Sequence, residues 1–166
     1  MKKGTSVFMS RILRHEPEII DIKMDNKGWV SISQFIAKSK IVGKEFTHES
    51  IAKIVETNDK KRFEISSDGK YIRASQGHSI SKDIVNVDLT LQTPPSILDH
   101  GTATHFMDSI REKGLIANNR QYVHLSMTEE VAYSVGKRHG VPTILEVDTV
   151  KMINDNHKFY ISKNNV

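Results

Sequence analysis

Two consecutive prolines, Pro94 and Pro95, limit what this chain can fold into, because neither can offer a backbone N–H to a helix or a sheet ladder. They close a stretch, residues 76–93, in which helical periodicity has already lapsed, and a fresh apolar run opens at Ile97. Two lobes are therefore expected, residues 1–92 and residues 93–166, and their patterns differ.

In the first part, Phe8 with Ile12 and Met9 with Leu13 are spaced four apart, so they share one face of a helix that starts near Thr5 or Ser6 and is limited by Pro17. Asp25-Asn26-Lys27-Gly28 is a turn signal after which Trp29-Val30 leads to Ser31, whose spacing to Gln34 fits a capping box for a helix that buries Phe35 and Ile36. A third helix starts at Thr47 and carries Ile51, Ile54 and Val55. Arg62-Phe63-Glu64-Ile65 and Lys70-Tyr71-Ile72-Arg73 then alternate about Ser66-Ser67-Asp68-Gly69, which predicts a β-hairpin. Three helices followed by a hairpin is the order of a winged helix.

The second part mixes its periods. Ile97-Leu98 runs as a strand into His100-Gly101-Thr102, a helix around Phe106–Ile110 stops at Gly114, and Val123-His124-Leu125-Ser126 alternates like a strand. Thr128 is the N-cap of a helix reaching about Arg138, Thr143-Ile144-Leu145-Glu146-Val147 reads as a buried strand, and Phe159-Tyr160-Ile161 as a last one. The expected class is α+β.

Charge is divided unevenly. Residues 1–93 hold 16 Lys+Arg against 12 Asp+Glu while residues 94–166 hold 8 against 8, so the whole surplus of +4 lies in the first part, as a surface that meets a polyanion would have it. The absence of cysteine excludes thiolate metal sites and thiol nucleophiles, and suits a reducing cytoplasmic setting. No apolar run is long enough for a membrane span, so no membrane partner is expected. None of the eight histidines stands in a metal-binding spacing, so no metal is expected. No further apolar stripe calls for a second copy, which suits a monomer.

Taken singly, the residues able to carry chemistry say little. Arg14-His15 at a helix end complements the helix dipole, Arg73 and Arg120 could be any surface arginines, and His124 and Ser126 fit the polar side of a strand. At His100-Gly101-Thr102 a glycine after a strand would let a ligand approach the backbone, with two side chains able to hydrogen-bond a ribose or an amide. The dinucleotide fingerprint of three spaced glycines is absent.

Their order is more informative. Ile12-Leu13-Arg14-His15-Glu16-Pro17, Gly28-Trp29-Val30, Ile72-Arg73-Ala74-Ser75-Gln76-Gly77-His78-Ser79, Leu98-Asp99-His100-Gly101-Thr102, Arg120-Gln121-Tyr122-Val123-His124-Leu125-Ser126, Arg138-His139-Gly140 and Leu145-Glu146-Val147-Asp148 together resemble the RNA 2′-phosphotransferase family, KptA in bacteria and Tpt1 in eukaryotes. The resemblance covers nearly the whole chain. It implies an N-terminal winged-helix RNA lobe and a C-terminal ADP-ribosyltransferase-like NAD lobe. It also implies a two-step reaction with NAD as co-substrate. An internal RNA 2′-phosphate, of the kind left at a tRNA splice junction, displaces nicotinamide to give a 2′-phospho-ADP-ribosylated RNA. The ribose 2″-hydroxyl then attacks phosphorus, leaving 2′-hydroxyl RNA and ADP-ribose 1″,2″-cyclic phosphate.

On this resemblance Arg14, His15, Arg73 and Arg120 form the catalytic set, with His15 moving the proton in the second step. His100, Gly101, Thr102, His124 and Ser126 hold NAD, and Gln76, Gly77, His78 and Ser79 bridge the lobes. Two departures carry expectations of their own. Asp99 replaces a residue usually aromatic and would weaken NAD binding, and the sequence stops at Asn164-Asn165-Val166 where relatives continue through a short strand and a Pro-rich tail. The alternatives are an ADP-ribosyltransferase that modifies phosphorylated nucleic-acid ends and a non-catalytic winged-helix nucleic-acid binder.

Overall fold

The structure, a computed structural model, describes residues 3–58 and 60–163, which mix helix and sheet in two compact units. One comprises Met1–Asp88 with Asn119–Gln121, the other Leu89–Asn118 with Tyr122–Val166.

In the first unit, α1 (Lys3–Arg14) buries Met9, Ile12 and Leu13 completely, as the four-residue spacing requires. Pro17 opens a 3-10 turn, Pro17–Ile20, at a position that needs no N–H, and Asp21 ends it in a left-handed conformation (φ 49). Asp25 Oδ1 accepts from the backbone N–H groups of Lys27 (2.9 Å) and Trp29 (2.8 Å), which shapes the expected turn. Next come β1 (Val30–Ser31), α2 (Ile32–Ile41) and α3 (His48–Glu56). Ser31 caps α2 through Gln34 N–H at 3.4 Å, whereas the reciprocal capping box is found at α3, where Thr47 and Ser50 bond each other's backbone at 3.0 and 2.9 Å.

The hairpin forms as its alternation predicts. β2 (Phe63–Ile65) pairs with β3 (Tyr71–Ala74) in the register Phe63↔Ala74, and β1 adds to the other side of β3 through Val30↔Ile72. The two-residue β1 was not foreseen, because so short a strand has no period to read. Phe35, Ile51, Ile54 and Ile72 are essentially inaccessible, and the rings of Phe8, Phe35 and Phe46 meet at 5.2–6.5 Å. Each such side chain contributes about 1.5–3 kcal/mol by leaving water. Ile36 and Val55 pack at the edge of this core.

The second unit has β4 (Thr90–Leu91), β5 (Ile97–Ala103), a 3-10 turn (Thr104–Phe106), α4 (Met107–Lys113), α5 (Glu129–Gly136), β6 (Pro142–Asp148), α6 (Thr149–Asn154) and β7 (Tyr160–Ile161). β5 and β6 are antiparallel from Ile97↔Asp148 to Ala103↔Pro142, and β4 pairs with β7. Thr128 caps α5 through Val131 N–H, and Gly114 follows α4. Helix α5 lies against β5 so closely that a Cβ on Gly101 would stand 1.8 Å from the Ala132 carbonyl oxygen, and one on Gly136 would stand 2.4 Å from that of Thr102. These glycines let backbone meet backbone. Of the expected strand Val123–Ser126, Ser126 alone pairs with β5, through the bridge Asp99↔Ser126 with N–H···O distances of 2.9 and 2.7 Å. Helix α6, capped by Asp148, is too short to show an apolar period and was not expected.

Candidate phosphate-binding site

Helix α1 ends at Arg14, and the loop after β3 folds back onto that end. Ser79 N–H donates to the Arg14 carbonyl at 3.0 Å, satisfying an acceptor that a helix terminus leaves open, and Ser79 Oγ lies 2.8 Å from His15 Nδ1. Arg120 donates from Nη1 to the Gly77 carbonyl and lies 3.5 Å from His15 Nε2. Gly77 has φ +84, and a Cβ there would stand 3.1 Å from Arg120 Nη1 and 3.5 Å from Arg14 Nη1. Glycine at this position leaves room for two guanidiniums.

The electrostatics are unusual for a protein interior. Arg14 is 8% exposed, and its Nε and Nη2 are buried without a hydrogen-bond partner. Burial, then the charges of Arg120 and Arg62, push its pKa down to about 10. The group therefore stays charged at neutral pH. Arg120 is also held below its ordinary value by burial. His15 is lowered by burial first and then by Arg120 and Arg14, opposed by Glu16, whose carboxylate is itself tied to Arg11. A neutral His15 that donates Nδ1–H to Ser79 and turns its Nε2 lone pair toward Arg120 satisfies both contacts.

His78 is 2% exposed with Nε2 unpartnered, and its pKa is pushed down to about 4 by burial and then by Arg14, His15, Arg120 and Arg73. It is a neutral wall among cations, a role the sequence did not suggest. Arg73 proves fully engaged. Its Nε and Nη2 hold Glu64 Oε2 at 3.0 and 2.9 Å, Nη1 reaches the Lys27 carbonyl at 3.3 Å and Asp88 at 3.7 Å, and the guanidinium lies 4.4 Å over Trp29. The hairpin register sets Glu64 opposite Arg73, so this ion pair could have been read from the two alternating runs. Arg62, just before β2, was not singled out, yet its charge is the one that joins Arg120 in acting on Arg14. Strand alternation puts it on the Glu64 side of the hairpin, which was the available signal.

Arg14, His15, Gln76, Gly77, His78, Ser79 and Arg120 all belong to the first unit, although residues on either side of Asn119–Gln121 belong to the second. His100, Gly101 and Thr102 lie on β5 of the second unit. His100 Nδ1 is 3.0 Å from the His124 carbonyl, so Nδ1 carries the hydrogen and Nε2 is left as an acceptor, while Thr102 is 6% exposed. The close approach that Gly101 permits is that of α5, where the sequence suggested a ligand. Alternation along β5 puts Asp99 on the Gly101 side, opposite Glu146 and away from His100 and Thr102, and Ser126 bridges at Asp99. Among the described residues no group of three or more His, Asp or Glu could hold a metal ion, and no helix is long and apolar enough to cross a membrane.

The guanidiniums of Arg14 and Arg120 meet at Gly77, with Arg120 beside His15, a chemistry suited to an anion such as a phosphate. Comparison with known proteins supplies the family. A profile described as "RNA 2′-phosphotransferase, Tpt1 / KptA family" matches residues 2–166. A "Probable RNA 2′-phosphotransferase" of Acaryochloris marina (strain MBIC 11017) is 49% identical over 164 residues, covering 99% of this chain and 89% of that protein. Proteins with the same name from Rhodopirellula baltica (strain DSM 10527 / NCIMB 13988 / SH1) and Escherichia coli O139:H28 (strain E24377A / ETEC) are 46% identical over 163 and 162 residues, covering 98% of this chain and 88% and 87% of theirs. The chain belongs to the RNA 2′-phosphotransferase, Tpt1/KptA family, a family of transferases.

Proposed function

We propose that the chain transfers an internal RNA 2′-phosphate to NAD, and that Arg14, Arg62 and Arg120 hold that phosphate beside His15. The observation that carries this reading is the buried Arg14 guanidinium, two of whose nitrogens have no partner. Such a group is costly to fold around unless a ligand completes it. A phosphate monoester carries about −1.5 to −2 charge near neutrality where a backbone diester carries one, so clustered guanidiniums favour the 2′-phosphate over the rest of the RNA. Charge that develops on the phosphoryl oxygens during transfer falls among the same groups. His15, whose pKa is lowered by burial and then by Arg120 and Arg14, is ready to accept the proton of an attacking hydroxyl through Nε2. Arg73 braces the hairpin against Trp29 and the Lys27 carbonyl in place of the catalytic role expected from the sequence.

The first unit is read as a winged helix, supported by α1, α2 and α3 followed by the β2–β3 hairpin with β1 alongside. The second is read as an ADP-ribosyltransferase-like NAD unit. The donor set suits the dinucleotide: His100 Nε2 is an acceptor for a ribose hydroxyl or the carboxamide N–H of nicotinamide, and the Thr102 hydroxyl can donate or accept. With Asp99 on the opposite side of β5, the weakening of NAD binding expected from its carboxylate is not part of this reading. The protein is taken to work as a cytoplasmic monomer on a tRNA-like substrate.

Incubation with NAD and a 2′-phosphorylated oligonucleotide tests the function. The expected products are 2′-hydroxyl RNA, nicotinamide and ADP-ribose cyclic phosphate. Accumulation of ADP-ribosylated RNA as the end product would mean that the enzyme stops after nicotinamide leaves, and RNA binding without any NAD consumption would reduce the protein to a binder.

A further inference from the structure

We propose that Gln121 is a positioning residue that acts on the phosphate only through Arg120, by fastening Asn119–Gln121 to the loop that also holds Arg14 and His15; this rests on reading those residues as the phosphate site. Gln121 Nε2 lies 2.7 Å from the carbonyl oxygens of both Ile80 and Val85, so each amide hydrogen has its own acceptor. The amide has one workable orientation, since flipping it would set its oxygen against two carbonyls. The backbone N–H of Gln121 donates to the His78 carbonyl at 3.1 Å. One residue earlier, Arg120 donates to the Gly77 carbonyl.

The loop is anchored at its other side to α1, through Ser79 N–H on the Arg14 carbonyl and Ser79 Oγ against His15 Nδ1. The place of the Arg120 guanidinium beside His15 is thus fixed by a chain of bonds to which Gln121 contributes three. Secondary structure gives no help here. Asn119–Gln121 lies in turn and bend conformation, and the residues on either side of it belong to the second unit. Arg120 is a long side chain on a short excursion of the backbone, and it is useful to a phosphate only if the excursion is pinned.

The test uses the full chain as wild type, Arg120→Ala, Gln121→Met and the double variant, with His15 titrated by NMR in the absence of substrate. Arg120 lowers the His15 pKa, as do burial and Arg14, while Glu16 raises it. Removing Arg120 is expected to raise the His15 pKa, Gln121→Met to raise it in the same direction, and the double variant to go no higher than Arg120→Ala alone. Turnover should follow, with Gln121→Met lowering kcat/KM roughly tenfold or more, and with no such loss when Arg120 is already absent. Gln121→Asn, whose amide falls one carbon short of the two carbonyls, gives the same pattern should the Met variant fail to fold. An unchanged His15 titration in either folded variant, or an equal loss of rate with and without Arg120, overturns the proposal. Because the titration needs no turnover, a wild type that transfers no phosphate would refute the proposed activity while leaving the positioning legible.

Discussion

In the first unit Met9, Ile12, Leu13, Phe35, Ile51 and Ile72 are completely buried, whereas the fully buried hydrophobic residues described in the second are Ala103 and Ala132. The first is held by large apolar side chains from three helices and a sheet. The second is held by a β5–β6 ladder of seven registered pairs and by a helix pressed onto it at Gly101 and Gly136. The difference bears on where charge can be kept. A core of that size tolerates Arg14, Arg73 and His78 in its walls, and an active site can draw on stability supplied elsewhere in the same unit.

The contrast can be broken from either side. The largest effect expected is that of Phe35→Ala, which removes a fully buried ring of the aromatic cluster and costs the first unit about 3–5 kcal/mol, read by the fluorescence of Trp29, the only tryptophan. The second unit should fail by the opposite operation. Gly101→Ala adds one methyl 1.8 Å from a backbone oxygen and should cost roughly 3 kcal/mol, with faster hydrogen exchange along β5 and β6.

Acid distinguishes the units next. His78 has a folded pKa of about 4 against an ordinary 6.5, so the unfolded chain takes up the proton first as pH falls. The stability this represents is complete above pH 6.5 and is lost progressively down to pH 4, about 3 kcal/mol in all, and His78→Asn should flatten that part of the Trp29 unfolding profile. The smallest effect has the opposite sign. Arg14→Met replaces a buried cation, two of whose nitrogens lack partners, by a shorter apolar chain, and urea unfolding should show a gain of about 1 kcal/mol together with loss of phosphate transfer.

How much could be read from the sequence follows the same division. Helices α1, α2 and α3 and the hairpin were legible because their apolar residues keep the helix or strand period over a buried face. In the second unit the caps and glycines marked α4 and α5, but the helix against Gly101 is not legible, because nothing local tells a helix from a ligand as the neighbour of a bare backbone. The order of motifs points to Arg14, His15, Arg73 and Arg120 alike, because a sequence shows which arginines exist and not that Arg73 is held by Glu64. The register opposing Glu64 to Arg73 settles that, and it becomes visible once the hairpin is built.

Binding separates the phosphate site from a generally basic surface. Oligonucleotides identical except for one internal 2′-phosphate should be titrated into wild type and Arg120→Ala at fixed salt. Wild type should bind the 2′-phosphorylated strand at least tenfold more tightly, with Arg120→Ala losing most of that preference while its affinity for the 2′-hydroxyl strand changes little. Equal affinity of the wild type for the two strands would mean that the guanidiniums around Arg14 do not receive the phosphate.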